Sequence, residues 1–255
     1  MSPRAATATG FAGFPPEALG FLRDLAANNA KPWFEAHRAT YEGALRAPML
    51  ALVEEMDARL GRIAPELVGD RRRSMFRIHR DVRFSKDKSP YKTHVAAWFF
   101  HRDVRAGAPQ DAGGGTGLGA AVHGGAGFYF HLAPGDCFAG GGLWMPPRPA
   151  LGEIREKLAT RHAEWEAIVR APAFRRRFGA LDEEAMLTRV PRGYAADHPA
   201  ATWLRYQSFT AGETLTEEQA TARDLPARLE KCFAALLPMV RWINDALGLR
   251  PAERR

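Results

Sequence analysis

After Pro15 and Pro16, a natural helix start, Leu19, Leu22, Leu25 and Ala26 recur at helical spacing until Asn28 and Asn29 stop the run. Pro32 opens a second helical stretch in which Trp33, Phe34, His37, Tyr41 and Leu45 form one stripe. Pro48 lets that helix kink or restart before Met49, Leu52, Val53, Met56, Leu60 and Ile63 continue it. The aromatic stripe reads as core rather than as a stacking platform, because large rings at helical spacing normally pack.

From Phe76 the period changes to two. Phe76, Ile78, Val82 and Phe84 fall on one face of a predicted strand, with Arg77, His79, Asp81 and Arg83 on the other. Neighbours at i and i+2 stand roughly 6.6 Å apart, so the charged row lines one shallow surface. Arg80 sits in line with the apolar residues, where a guanidinium needs a carboxylate partner or a bound anion to offset its desolvation. Residues 93–100 are apolar at nearly every position and read as a strand buried on both faces. The two strands are expected to pair antiparallel through the connection SKDKSPY, which would put Lys86, Lys88 and Tyr91 at a hairpin tip.

Residues 103–126 are rich in Gly and Ala, lack periodicity and read as a flexible insertion. Their GGGTGLG run has neither the G-K-[ST] ending of a phosphate loop nor a helical pattern after it. Phe128, Phe130 and Leu132 alternate with Tyr129 and His131 in a further strand, which APGD turns into residues 137–144. Gly140, Gly141 and Gly142 weaken a strand unless a bulge or a close approach requires them, and a bulge is the favoured reading. Leu151, Ile154, Leu158, Trp165, Ile168 and Val169 mark one or two helices, and Arg175, Arg176 and Arg177 follow in a short helix end. Asp197 and Pro199 resemble an N-cap and first-turn proline for a helix through Trp203 to Tyr206, with His198 structural at its start. Leu229, Phe233, Leu236, Val240, Ile243 and Leu247 share one face of the last long helix, within which Pro238 is a candidate kink. The predicted architecture is α+β, with a small antiparallel sheet packed between N-terminal and C-terminal helices. Residues 14–250 form one globular domain behind a loose tail at 1–13.

Charge sharpens this picture at one place. Nine basic residues stand between Arg71 and His94 against Asp81 and Asp87, an excess equal to the formal +7 of the whole chain. Lys86, Lys88 and Lys92 are three of only six lysines among thirty-six basic residues, so an arginine-favouring composition does not explain the cluster. The 46% hydrophobic content supports a core without staples. Cys137 and Cys232 are isolated, which argues against a zinc ribbon or disulfide framework and suits a reducing compartment. With no apolar run of signal-peptide length and none approaching the ~20 residues of a membrane span, the expected location is cytoplasmic. No membrane partner is expected.

Among chemistries, metal binding by His79, His94, His101, His123 and His131 is disfavoured because no ligand spacing such as H-E-x-x-H is present. No nucleophile elbow is legible, and no motif specifies a cofactor. Anion recognition fits best. Arg77, Arg80 and Arg83 offer planar forks, Lys86, Lys88 and Lys92 add mobile point charges, and Ser85, Ser89 and Tyr91 can donate hydrogen bonds. Asp81 and Asp87 are the orienting carboxylates, and Asp81 would serve as a base if its environment raised its pKa. Against this stands a structural role, in which the arginines pair with Glu35, Glu42 and Glu54 of the flanking helices.

Three functions follow. The first is recognition of, or catalysis on, a phosphorylated or carboxylated small molecule at residues 77–92. The second is a nucleic-acid module with a basic stripe recruiting residues 71–73 and 175–177 and exposed aromatics. The third is a scaffold or partner-binding domain held by structural ion pairs.

The same stretch resembles the family catalogued as domain of unknown function 2461, with the pattern R-I-x-R-D-x-R-F-S-x-D-K-[ST]-P-Y-K. Arg77, Ile78, Arg80, Asp81, Arg83, Phe84, Ser85, Asp87, Lys88, Ser89, Pro90, Tyr91 and Lys92 stand where it places them. NNAKPWFEAHRATYE is similar to the family's N-terminal signature, with Asn28, Asn29, Trp33, Phe34, Arg38, Tyr41 and Glu42 in register. FAGGGLWMP and PRGYAADHP resemble its later blocks. His79 stands where the family has tyrosine, which argues against a family-wide role there. The resemblance implies a single globular domain and supplies no activity.

Overall fold

A computed structural model describes residues 10–83, 86–104 and 124–252. Most of the expected tail and insertion, together with Phe84, Ser85 and His123, therefore lies outside the described residues. The described margins of both stretches are packed rather than loose. Phe11 is buried edge-on to Phe14, and Val104 and Ala126 are buried.

The N-terminal region is helical: α1 (Glu17–Ala27), α2 (Lys31–Ala36), the short α3 (Arg38–Thr40), a π-helical turn (Tyr41–Arg46) and α4 (Ala47–Ile63). Leu19, Leu22 and Leu25 of α1, and Met49, Leu52, Val53, Met56 and Leu60 of α4, are buried as their spacing requires. Phe34, Tyr41 and Leu45 of the aromatic stripe are core, while His37 is exposed and stacks on Trp33 at 4.0 Å.

A five-stranded antiparallel sheet follows, in the order β1 (Leu67–Val68), β2 (Val95–His101), β3 (Gly127–Leu132), β4 (Cys137–Leu143), β5 (Phe209–Leu215). Between β4 and β5 lie α5 (Arg148–Val169), broken by a non-helical Arg161, then α6 (Pro172–Phe178) and α7 (Ala201–Leu204). After β5 come α8 (Glu217–Thr221) and α9 (Leu225–Ala246). The fold is α+β. The helix expected from Asp197 to Tyr206 is only the single turn of α7. Asp197 does not cap it, and the His198 ring accepts the Ala200 N–H through Nδ1 at 3.0 Å.

The N-terminal and C-terminal helices share one face of the sheet. Val95, Ala97 and Phe99 of β2, Phe128, Phe130 and Leu132 of β3, and Phe209 and Ala211 of β5 point into this core. Phe233 of α9 stacks on Phe128 at 4.5 Å and meets Phe99 at 5.6 Å, where burial of the ring contributes roughly 1.5–3 kcal/mol. The opposite, outward face carries a smaller cluster of Phe76, Ala96, Trp98, Phe100 and Tyr129. Cys137 and Cys232 are free and buried. No described helix is long and apolar enough to cross a membrane.

Two strand expectations are corrected. The alternation from Phe76 is real in burial, since Phe76 and Ile78 are buried while Arg77 and His79 are exposed, but the segment is not a strand. Among its described residues it makes two isolated bridges, Met75 with Ala97 and His79 with Tyr91. One side advances four positions between these bridges and the other six, so the ladder slips and the extra residues bulge at Thr93 and His94. The glycines of β4, by contrast, form no bulge and pair in unbroken register with β3 and β5. Close backbone approach is what requires them: a β-carbon on Gly142, at φ +124°, would stand 1.9 Å from the carbonyl oxygen of Phe209.

Glycine positions therefore separate by environment. G142A is expected to cost at least about 3 kcal/mol, since it combines a clash with a disfavoured φ. G152A, on the exposed side of α5 with nothing within 4 Å of a new β-carbon, should gain about 0.5–1 kcal/mol. Urea unfolding of the two variants checks both signs.

Candidate functional site

Residues 75–92 are held by groups distant in sequence. The turn between α1 and α2 presents Asn29, whose Nδ2 donates to the Tyr91 carbonyl at 2.9 Å while its Oδ1 accepts the Tyr91 N–H at 3.0 Å. One side-chain amide thus stands where a neighbouring strand would. The Tyr91 ring lies flat on Phe34 of α2 at 4.1 Å, and His79 tilts over it at 5.1 Å. Backbone bonds from Lys92 N–H to the Ile78 carbonyl and from Arg80 N–H to the Pro90 carbonyl close the hairpin. Tyr91 is therefore 2% exposed and away from the tip where the sequence placed it. Burial also pushes its hydroxyl pKa up.

The remaining candidate residues divide between the tip and the inner end. At the tip, Arg83 grips Asp81 in a fork, Nε to Oδ1 at 3.0 Å and Nη2 to Oδ2 at 2.6 Å. Arg80 donates to Asp87, which also accepts the Ser89 N–H at 2.9 Å. This is the carboxylate partner that the position of Arg80 demands. Lys88 donates to the Val82 carbonyl at 3.0 Å, and Lys86 and Arg77 are exposed. At the inner end Lys92 is buried with its ammonium 5.2 Å from the centre of the Phe76 ring. Ser85 lies outside the described residues.

Both hairpin carboxylates are held in their charged form. The Arg83 guanidinium holds Asp81 down to about 2, and Arg80 with Ser89 depresses Asp87 further. Asp81 thus departs from the raised pKa that a base would need. The flanking glutamates have other partners: Glu35 pairs with Arg38, Glu42 with Arg46 and Glu54 with Arg71.

Beside Lys92 lies a cluster that the sequence did not single out as a site. The bulge carries His94 onto the outward face next to β3, where its ring meets that of His131 at 4.4 Å. The Tyr129 hydroxyl lies 3.0 Å from His131 Nδ1, the Asp136 carboxylate faces Nε2 at 3.9 Å, and Phe138 stacks on the same ring at 4.8 Å. Burial, reinforced by His131, Lys92 and Arg80, pulls His94 down to about 3. Burial pulls His131 down to about 4 against the opposing charge of Asp136. Both rings are neutral near pH 7. The alternation in β3 already put Tyr129 and His131 on one row, but their meeting with His94 depends on the slipped register. Further along this face a cleft of about 290 Å³ opens between Phe138, Gly140, Trp144, Asp182, Thr210 and Gly212. Among the described residues no three His, Cys, Asp or Glu stand close enough to hold a metal ion.

A family model described as conserved hypothetical protein (DUF2461) matches residues 17–242. No curated protein and no solved structure matches the chain.

The histidine pair sets a pH dependence. Below about pH 6.5 the unfolded chain binds protons at both rings, and the folded chain refuses them until about pH 4 or lower. Stability is therefore full above about 6.5 and falls as the pH drops, with a slope of up to about 1.4 kcal/mol per pH unit for each ring. Denaturant titrations at pH 7, 6 and 5 should show this fall, and H94Q should reduce the slope.

Proposed function

We propose that this chain, which belongs to the DUF2461 family of conserved hypothetical proteins, recognises a phosphorylated or carboxylated small molecule through the Arg/Lys-rich hairpin at residues 77–92. The observation that carries this reading is the pairing inside the hairpin. Its two carboxylates each hold an arginine, Asp81 gripping Arg83 and Asp87 gripping Arg80. Six cations stand against those two acids over the stretch. A guanidinium has five N–H donors, more than one carboxylate engages, and its planar fork matches a phosphate or carboxylate. An exposed ion pair contributes little in water, so an incoming anion displaces or shares it at small cost. The Arg83 side chain is 76% exposed, and at the root of the same hairpin Tyr91 is held by Asn29 and Phe34.

The nucleic-acid reading is weaker on three observations. Residues 71–73 follow β1 at one edge of the sheet, whereas Arg177 forks onto Glu213 of β5 at the other, so the two arginine runs do not form one stripe. Arg71 is tied to Glu54, and Arg73 lies over the Phe100 ring at 4.3 Å. The exposed large apolar side chain among the described residues is Met145, with no aromatic ring offered for stacking.

A thermal-shift panel at low salt with inorganic phosphate, sugar phosphates, nucleotides, dicarboxylates and short oligonucleotides tests the proposal. A small anion at about a hundredfold over its dissociation constant should stabilise by roughly 2.7 kcal/mol, on the order of 5 to 10 °C for a chain of this size. R83A and K88A should lose the shift while unfolding at the wild-type temperature without ligand. A shift with oligonucleotides alone would transfer the site to nucleic acid. A flat panel would leave the pairs as structural ties.

A further inference from the structure

We propose that the connection between β4 and β5 carries a second ligand site, a cleft over residues 188–205 in which Arg189 and Arg205 hold the carboxylate or phosphate head of an organic anion while Tyr194 and Val190 flank its apolar body. The site shares no residue with the hairpin and stands or falls independently of it.

The cleft arises where two stretches of this connection run antiparallel. The Asp182 N–H donates to the Thr210 carbonyl at 2.9 Å and the Leu187 N–H to the Arg205 carbonyl at 2.8 Å, so the two sides advance in step. Between these bonds Gln207 Nε2 donates to the Ala185 carbonyl at 2.9 Å, and the Tyr206 hydroxyl to Glu183 at 3.2 Å. The loop from Thr188 to Leu204 is therefore clamped at both ends. Gly193, at φ +96°, turns it, and the half-buried Tyr194 packs against the core. A cleft of about 430 Å³ remains, within the roughly 300–1,000 Å³ of small-molecule pockets. Arg189, Val190, Tyr194 and Arg205 line it together with the exposed Thr188 and Thr202.

Charge balance points to the class of ligand. The wall of this cleft holds two guanidiniums and no carboxylate. By contrast, Asp136, Asp182 and Glu184 line the cleft beside Trp144, and Glu213 and Asp224 line the one beside Arg177 and Arg228. Half-buried arginines elsewhere meet acids, as Arg59 meets Glu55 and Glu230, Arg177 meets Glu213 and Arg241 meets Glu66. Arg205 is half-buried too, yet it donates Nε to the Leu187 carbonyl at 2.8 Å and pairs with no acid among the described residues. Both its terminal nitrogens are left for a ligand. Arg189 is exposed and makes neither a hydrogen bond nor an ion pair with a described residue, so it ties nothing in the described fold together. Arg155 of α5 repeats the pattern behind α7, donating to the carbonyls of Leu204 at 3.0 Å and Tyr206 at 3.3 Å. Burial pulls its pKa below the usual guanidinium value, and Tyr194 of the cleft wall opposes that shift. Charge taken partly out of water without a counter-ion is costly. An anion in the cleft supplies the missing charge to two planar forks that match a carboxylate or phosphate. The threonine hydroxyls add donors, and the Tyr194 ring and Val190 offer apolar surface that a bare inorganic anion leaves uncovered.

Phenyl phosphate and benzoate are the probes, with inorganic phosphate as the head without a body. Their dissociation constants are measured by calorimetry on R83A/K88A protein, in which the hairpin is disabled. Phenyl phosphate or benzoate should bind, and phenyl phosphate at least about tenfold more tightly than inorganic phosphate. Which of the two binds assigns the head group. Adding R189A should weaken binding at least about tenfold without changing the unfolding temperature of the free protein. Adding R192A, which removes an exposed arginine outside the cleft wall, should leave it within about twofold. Should R83A/K88A fail to fold, the series is run on the wild-type background, where R189A must remove a binding event that R83A leaves in place. No binding of either aromatic probe, equal affinity for phenyl and inorganic phosphate, or equal losses from R189A and R192A overturns the site. None of these outcomes bears on the hairpin, whose own test is the loss of binding in R83A and K88A.

Discussion

A single amide side chain facing a single peptide unit is the constraint on which the outward architecture depends. Asn29 gives Tyr91 both a donor and an acceptor across sixty-two positions of sequence. It thereby pairs a peptide unit whose N–H and carbonyl face away from the hairpin partner, since a buried peptide group without a partner costs about 1–3 kcal/mol. The device recurs where the chain re-enters the sheet, as Asn244 of α9 brackets Ala126 just before β3, accepting at 2.7 Å and donating at 3.0 Å. In both places a side-chain amide of the helical layer, from the α1–α2 turn or from α9, supplies the hydrogen bonds of a missing strand. Irregular backbone is fastened to the helical layer without being drawn into the sheet.

That arrangement gives the two faces of the sheet opposite characters. The inner face is aromatic and aliphatic, closed by α4 and α9 around Phe99, Phe128 and Phe233. The outward face begins apolar at Phe76, Trp98 and Phe100 and turns polar along β3, where Tyr129, His131 and Asp136 are joined by His94. Lys92 stands at the junction, its ammonium near the Phe76 ring and its charge felt by both histidines. The hairpin above is rigid at its root, through Tyr91 and Phe34, and exposed at its tip, through Arg83.

Patterns that depend on neighbours along the chain were legible in the sequence. Helical spacing marked the buried faces of α1, α4 and α9, and alternation marked both the burial of Phe76 and Ile78 and the outward row of Tyr129 and His131. The N-terminal signature and the hairpin motif were visible as blocks, but the atomic tie between Asn29 and Tyr91 was not, because amide-to-backbone pairing leaves no periodic trace. Register was equally hidden. Nothing local distinguishes a strand at 76–84 from a segment whose partner gains two residues, so the bulge that creates the histidine pair is invisible to periodicity. The glycines of β4 were misread for a related reason, since the backbone that crowds Gly140 and Gly142 belongs to β5, more than sixty positions later, and that which crowds Gly141 to β3. The acidity of Asp81 and Asp87 likewise follows from which arginine each one meets.

The glycine run of β4 also bears on how this chain can change over time. Every single-base change of a glycine codon that alters the amino acid introduces a β-carbon. At Gly142 that atom would fall on the backbone of β5, and at Gly140 and Gly141 within 2.9 Å of a neighbouring carbonyl oxygen. A crowded neighbour can give way when it is a side chain, but here the obstruction is itself ladder. The centre of the sheet therefore lacks neutral single-step neighbours in sequence space, while the hairpin tip, exposed and tied by replaceable ion pairs, keeps many. Selection can retune what the surface recognises only by working around a seam that is itself frozen.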